Sequence, residues 1–392
     1  MHIAPPLHDP AFHAGDPFPA FRRLRAESPI HWHPTPGFWA LTRHEDVVAV
    51  SRDPATFCSS RGVLLSDLER QIMPRQSIIY IDPPEHAKYR KLVQPAFSPG
   101  RLRALEQQIA QTVGELLDRI AVDQPVDFVE EFAAPLPMLV IADMLGVPGA
   151  DRVQFKRWSD AIIEAGTEPT NENMAQSSEL LAYFANVLAE RRERPGDDLL
   201  SVLVHSEIDN ERLEEFDLLM FCLTLLVAGN ETTRNLLSHG AVALARYPEQ
   251  RALLARDAAL MPRAVEEMLR WGSPVGSFMR VATRDTELHD TRIRAGDPLL
   301  LLYVSANRDE EVFGADAEHF CVMRDASRHV AFGFGEHFCL GSQLARMEGR
   351  IAFAQLLDRF ASWQLAGDVE RLRSAFMRGI VRLPLTFSRG IA

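Results

Sequence analysis

Chemistry in this chain starts at one cysteine near the C-terminus, in Phe332-Gly333-Phe334-Gly335-Glu336-His337-Phe338-Cys339-Leu340-Gly341. A single thiol in a glycine-punctuated loop, directly ahead of a helical segment from Ser342 to about Phe360, has the setting of a metal ligand. Glycines let the backbone turn tightly and come close to a flat group, since no Cβ intervenes. A helix that starts just after the loop points its N-terminal amides at Cys339, which favours thiolate over thiol. An anionic sulfur of this kind suits an iron that needs electron donation.

Two further constellations could serve such a centre. In Ala228-Gly229-Asn230-Glu231-Thr232-Thr233 a carboxylate and hydroxyls interrupt an apolar helical run. Threonine is stiff in a helix and can bond back to a carbonyl one turn earlier, so some other demand must place it there. Small residues at Ala228 and Gly229 let a planar ligand or a diatomic molecule reach the backbone. Thr232 could open the helix by its back-bond and hold water there. In Glu266-Glu267-Met268-Leu269-Arg270, Glu267 and Arg270 share one helical face and can pair.

The cysteine loop is similar to the haem-ligand loop of the cytochrome P-450 superfamily: Phe332, Gly333, Gly335, His337, Cys339 and Gly341 all stand at its spacing. The resemblance implies haem b with Cys339 as the iron ligand, the thiolate donation that favours O–O cleavage. It makes Glu231 and Thr232 the acid-alcohol pair for proton delivery, with Ala228 and Gly229 beside the bound oxygen. His337 would meet a haem propionate, as would His86 and Arg90, four apart in Asp82-Pro83-Pro84-Glu85-His86-Ala87-Lys88-Tyr89-Arg90, and Arg280. Glu267, Arg270 and Arg324 would form a buried structural clasp. The residue after Phe320 is usually acidic in the family; Cys321 stands here and reads as a tolerated surface change. The resemblance runs from about residue 16 to 388 and covers Asn307-Arg308-Asp309 and Phe313.

The elements that must position these groups are mostly helical. Helical spacing recurs near 16–27, 43–52, 84–95, 99–121, 130–145, 151–164, 176–194, 211–240, 247–255, 259–271 and 342–360. Strand candidates are few: Ile30–His33, Phe38–Thr42, Met279–Thr283, Pro298–Leu302 and Val381–Phe387. The expected fold is mostly α, a single large α-rich body with a small β region, as in the haem-thiolate family. Although 392 residues exceed the usual single core, no repeat or Gly/Ser linker divides the chain, so one domain over 1–392 is expected, with residues 1–15 extended. The apolar run Leu218–Gly229 is too short to span a bilayer and reads as a helix buried on all sides.

A hydrophobic content of 46% marks a globular protein, and a net charge of −12 argues against nucleic-acid binding. Four cysteines without paired spacing exclude a disulfide framework, and no signal peptide or membrane anchor is visible in Met1-His2-Ile3-Ala4-Pro5-Pro6. A cytoplasmic monomer is expected. With no flavin or nicotinamide motif, electrons would come ultimately from NAD(P)H through a ferredoxin or flavodoxin and its reductase, docking at Arg101, Arg103, Arg346 and Arg350. The reaction implied is hydroxylation of a C–H bond with O2. Substrate walls would come from Ser59 to Ile79, including Ile78, from about Val153 to Val187, and from Val227, Ala228, Val275, Phe278 and Met377. Their apolar character implies a steroid, terpenoid, fatty chain or similar molecule. Two alternatives stand beside this: a haem protein that does not activate O2 (a peroxide-driven enzyme, isomerase or sensor), and a zinc-site hydrolase built from His319, Cys321, His329, His337 and Cys339.

Overall fold

A 32-residue helix, Glu215–Arg246, runs through the middle of the molecule and organises the rest. Glu215 and Asp217 in its first turn and Arg246 in its last complement the helix dipole, and Pro248 opens the next helix after a non-helical Tyr247. The computed structural model describes residues 5–69, 77–167, 170–207 and 210–389. Around the central helix pack Pro135–Met144, Asn171–Glu193, Met261–Gly272 and Ser342–Arg359, and their apolar faces merge into one large core.

By length and composition alone the central helix could also cross a membrane, but four helices enclose it here. It is not buried on all sides as its composition suggests. Leu226, Asn230 and Glu231 are buried, whereas Val227 and Ala228 between them are exposed. An apolar window in mid-helix is what a ligand-facing stretch requires.

Most expected helices form close to their expected bounds. The segment expected from 130 instead makes a π turn, Val129–Ala133, and the helix proper begins at Pro135, where a missing N–H does no harm. Residues 1–4 lie outside the described residues, and the expected extended N-terminal segment is in part helical, Pro10–Ala14 being capped by the Asp9 side chain. Leu7 is buried with Phe21 in a small satellite core.

The β region holds a mixed five-stranded sheet in the order Ile30–His33, Phe38–Leu41, Pro298–Leu301, Phe278–Ala282, Phe57–Cys58. Trp39 pairs in parallel with Leu299, and Arg280 stands opposite Leu299 on the other side. This sheet carries Phe278 and Arg280 to the site. The expected strand Val381–Phe387 is split by Pro384 into Ile380–Arg382 and Pro384–Ser388. The second piece pairs with Pro125–Asp127 and Ser362–Leu365 in a separate three-stranded sheet.

Candidate active site

The Cys339 loop is held by its own backbone. The Cys339 N–H donates to the Phe332 carbonyl at 2.9 Å, and Gly333 and Gly335 both adopt positive φ, at 71° and 74°. At Gly335 a Cβ would collide with the carbonyl oxygen of Ser51, so only glycine lets the loop seat on helix His44–Arg52. A Cβ on Gly341 would meet nothing within 4 Å, which leaves open space directly beside the cysteine.

Burial pushes the Cys339 thiol above its ordinary pKa. The Gly341 N–H and the charges of Arg90 and Arg346 pull downward without prevailing. Desolvation therefore acts against the loop amides at this sulfur, and a cation held on it would favour the thiolate.

Four basic side chains crowd the far edge of the loop. The His86 and His337 rings lie 4.2 Å apart between centroids, and Arg90 donates to the Glu336 carbonyl at 3.1 Å. Burial, then the His337 charge, push His86 down to about 4. Burial lowers His337 too, and the Arg280 charge adds to it. Arg280 itself is buried, with one guanidinium nitrogen on the Met279 carbonyl at 2.7 Å. Such a concentration of buried basic groups calls for anionic partners, and two propionates would supply them. Ser59, expected only as the start of a substrate wall, shares a 3.1 Å hydrogen bond with His337, and Asp82 fixes it by accepting its N–H at 2.7 Å. That link joins segments far apart in the chain, so local spacing carries no sign of it.

On the central helix the Thr232 hydroxyl donates to the Ala228 carbonyl at 2.6 Å, the expected back-bond. Buried Glu231 accepts from Arg234 at 2.7 Å and from Asn235 at 3.3 Å through Oε1. Its Oε2 has no hydrogen-bond partner among the described residues. A Cβ on Gly229 would meet Ile141 Cδ1 at 2.8 Å, so this glycine also lets the central helix pack close to Pro135–Met144. Ala228 beside it is exposed.

The clasp forms as expected. Arg270 donates to both oxygens of Glu267, at 2.6 and 2.7 Å, and Arg324 to one at 3.3 Å. Cys321 contributes its backbone N–H to Glu267 at 2.9 Å and is half-buried, which corrects its reading as a surface change. A main-chain donor explains why its side chain is free to differ.

The apolar wall residues fall into two groups. Val275 bridges to Met377, and the Phe278 ring lies 5.1 Å from Phe376 and 5.9 Å from Tyr303. Ile78 is brought to the central helix by a 3.0 Å bond between Ser77 and Thr224, one turn before Val227 and Ala228. Residues 70–76 of the expected Ser59–Ile79 wall, and 168–169 of the Val153–Val187 wall, lie outside the described residues.

Two of the expected docking arginines carry ion pairs. Arg346 binds both oxygens of Glu266 at 2.7 and 2.8 Å and lies 4.5 Å over the Phe332 ring, bracing the cysteine loop. Arg101 faces the exposed Asp197 at 3.5 Å. The zinc alternative dissolves: His329 is hydrogen-bonded to Glu266, His337 to Ser59, and neither group of converging metal-capable side chains among the described residues contains Cys321 or Cys339.

A family model for cytochrome P450 matches residues 126–388, the span that holds the acid-alcohol stretch, the clasp and the cysteine loop. The chain belongs to the cytochrome P450 family. This P450 is 40% identical over 388 residues to a methyl-branched lipid omega-hydroxylase of Mycobacterium tuberculosis, covering 94% of this chain and 90% of that protein. It is 40% identical over 377 residues to a steroid C26-monooxygenase of the same organism, covering 94% and 93%. A solved cytochrome P450 of Mycobacterium marinum in complex with pseudoionone superimposes with a TM-score of 0.88 at 39% identity, covering 99% of each chain. The P450 is thus a haem b-dependent monooxygenase that uses O2 and electrons delivered from NAD(P)H by partner proteins, and it hydroxylates hydrophobic small molecules. That answers the alternative of a haem protein without O2 activation.

Proposed function

We propose that this P450 hydroxylates an aliphatic position on a branched lipid or a steroid-like molecule, with Cys339 as the residue that would hold the haem iron. The observation that carries the reading is the pairing of the half-buried Cys339 thiol, with open space beside it at Gly341, with the apolar window at Val227 and Ala228. His86, Arg90, Arg280 and His337 would hold the propionates, and Phe332, Gly333 and Gly341 would shape the proximal side. Once bound there, the haem supplies the activation of O2. Val275, Phe278, Met377 and Ile78, with Val227, exclude water and hold the aliphatic chain. Thr232 and Glu231 hold and pass the protons, Glu231 through its unpartnered Oε2. The relatives' names, a methyl-branched lipid hydroxylase and a steroid monooxygenase, support an extended aliphatic substrate.

Purified protein, reduced and exposed to carbon monoxide, should give the red-shifted Soret band of a thiolate-bound haem, and Cys339→Ser should lose both that band and activity. Titration with methyl-branched fatty acids and with sterols should give a saturable spin-state change for at least one series. A thiolate spectrum without any such change would leave the haem assignment and remove the substrate class. The electron donor is a ferredoxin or flavodoxin with its reductase, and the protein works as a monomer in the cytoplasm, where its four free cysteines stay reduced. Arg346 is engaged by Glu266 and Arg101 pairs at the surface with Asp197, so the exposed Arg103 is the cation of the patch whose charge is free for docking. Arg103→Glu should slow reduction several-fold at low salt and little at high salt; equal slowing at both would sink this docking face.

A further inference from the structure

One turn beyond Glu231 on the central helix stands an asparagine to which no step above gives a task. Asn235 is fully buried in mid-helix. Asparagine is poorly suited to a helix interior, and a buried amide has to be satisfied at both ends. Here it is. Its Oδ1 accepts the Ile380 N–H at 3.1 Å, and its Nδ2 donates to Glu231 Oε1 at 3.3 Å.

The Ile380 bond decides which way the amide points. A backbone N–H can only donate, so the amide oxygen must face it and the NH2 group must face Glu231. Turning the amide over would set donor against donor at Ile380 and leave Glu231 facing an acceptor. Ile380 opens strand Ile380–Arg382, three residues beyond Met377 of the substrate wall, and Gly379 packs beside the amide: a Cβ there would stand 3.5 Å from Asn235 Nδ2. The donor offered to Glu231 is thus fixed by a second element of the fold.

Arg234 donates to the same Oε1 at 2.7 Å. With both lone pairs of Oε1 taken, a proton cannot settle there without displacing a donor. Oε2 is buried and has no partner among the described residues.

We propose that Asn235 is a positioning residue for proton delivery: anchored by the Ile380 N–H, it keeps Oε1 of Glu231 occupied, so that Oε2 is the oxygen that takes up the proton and gives it back. This rests on the reading of Glu231 as a proton-passing group.

Asn235→Asp tests it, being of the same size and still able to accept the Ile380 N–H while turning an acceptor towards Glu231. In the holoenzyme, with a methyl-branched fatty acid as substrate, product formed per electron should fall about five-fold or more. Turnover driven by added hydrogen peroxide, which brings its own protons, should be retained. Glu231→Gln should lower product per electron as well, and adding Asn235→Asp to it should cost nothing further. A further fall in the double variant, or loss of the peroxide-driven reaction, would make Asn235 a structural residue and overturn the proposal. Native product per electron in Glu231→Gln would instead remove the role of Glu231, and the proposal with it. Should Asn235→Asp fail to hold haem, Asn235→Ser removes the donor without adding a charge and passes through the same cycle with the same outcomes. Infrared spectra give a reading apart from turnover: the carboxyl band that disappears in Glu231→Gln should shift in either Asn235 variant, and an unmoved band would overturn the proposal.

Discussion

Glu267 and Glu231 are both buried glutamates on helices of the same core, each beside an arginine three residues on, and they are built to opposite ends. Glu267 accepts four hydrogen bonds, from Arg270 twice, from Arg324 and from the Cys321 N–H, so both oxygens are occupied. Glu231 accepts two on one oxygen and none on the other. A saturated carboxylate is locked in charge and geometry. One left with a free oxygen can still take or give a proton. Identical sequence spacing therefore carries different purposes, and the remaining donors decide which.

The largest effect should come from breaking the saturated group. Arg270→Leu takes two of the four donors from the buried Glu267 charge and leaves it Arg324 and the Cys321 N–H; loss of one partner of a buried pair costs about 3–5 kcal/mol. Denaturant unfolding should show this, with weakened haem retention. A loss under about 1 kcal/mol would mean that the clasp is ornamental and that the comparison has no energetic basis.

The open group should respond in chemistry and not in stability. Thr232→Ala removes the back-bond to Ala228 but no partner of a buried charge. Unfolding should stay within about 1 kcal/mol of the native protein. Product formed per electron should fall about ten-fold or more, with hydrogen peroxide in its place. Product per electron at the native level would remove Thr232 from proton delivery.

Much of this contrast could be read in the sequence. Cys339 with its glycines, the Glu267–Arg270 spacing and the Glu231-Thr232 step announce themselves, because each is local and rests on one loop or one helix. The Ser59–His337 bond, the Glu266–Arg346 pair and the Ser77–Thr224 contact do not, since each joins segments that only the tertiary fold brings together. The same holds for the fold. Long helices were evident from their period, while Leu199–His205 and the strands Pro125–Asp127 and Ser362–Leu365 are too short for a pattern and depend on long-range pairing.

Glu348 carries the comparison to its limit. It lies buried on helix Ser342–Arg359, and its Oε2 has no partner among the described residues. Burial alone pushes its pKa up to about 8 from an ordinary 4.5. The folded protein therefore keeps this proton while the unfolded chain releases it. Stability from this group is complete below about pH 4.5 and is lost as pH rises towards about 8, where the folded state also ionises. Across that window native Glu348 should lose ground to Glu348→Gln by about 1.4 kcal/mol per pH unit at most. Unfolding free energies of the two proteins, measured at several pH values between these limits, should diverge steadily. Parallel curves would mean that Glu348 finds a counter-charge in the folded protein, and the contrast would then lie between two paired carboxylates and Glu231 alone.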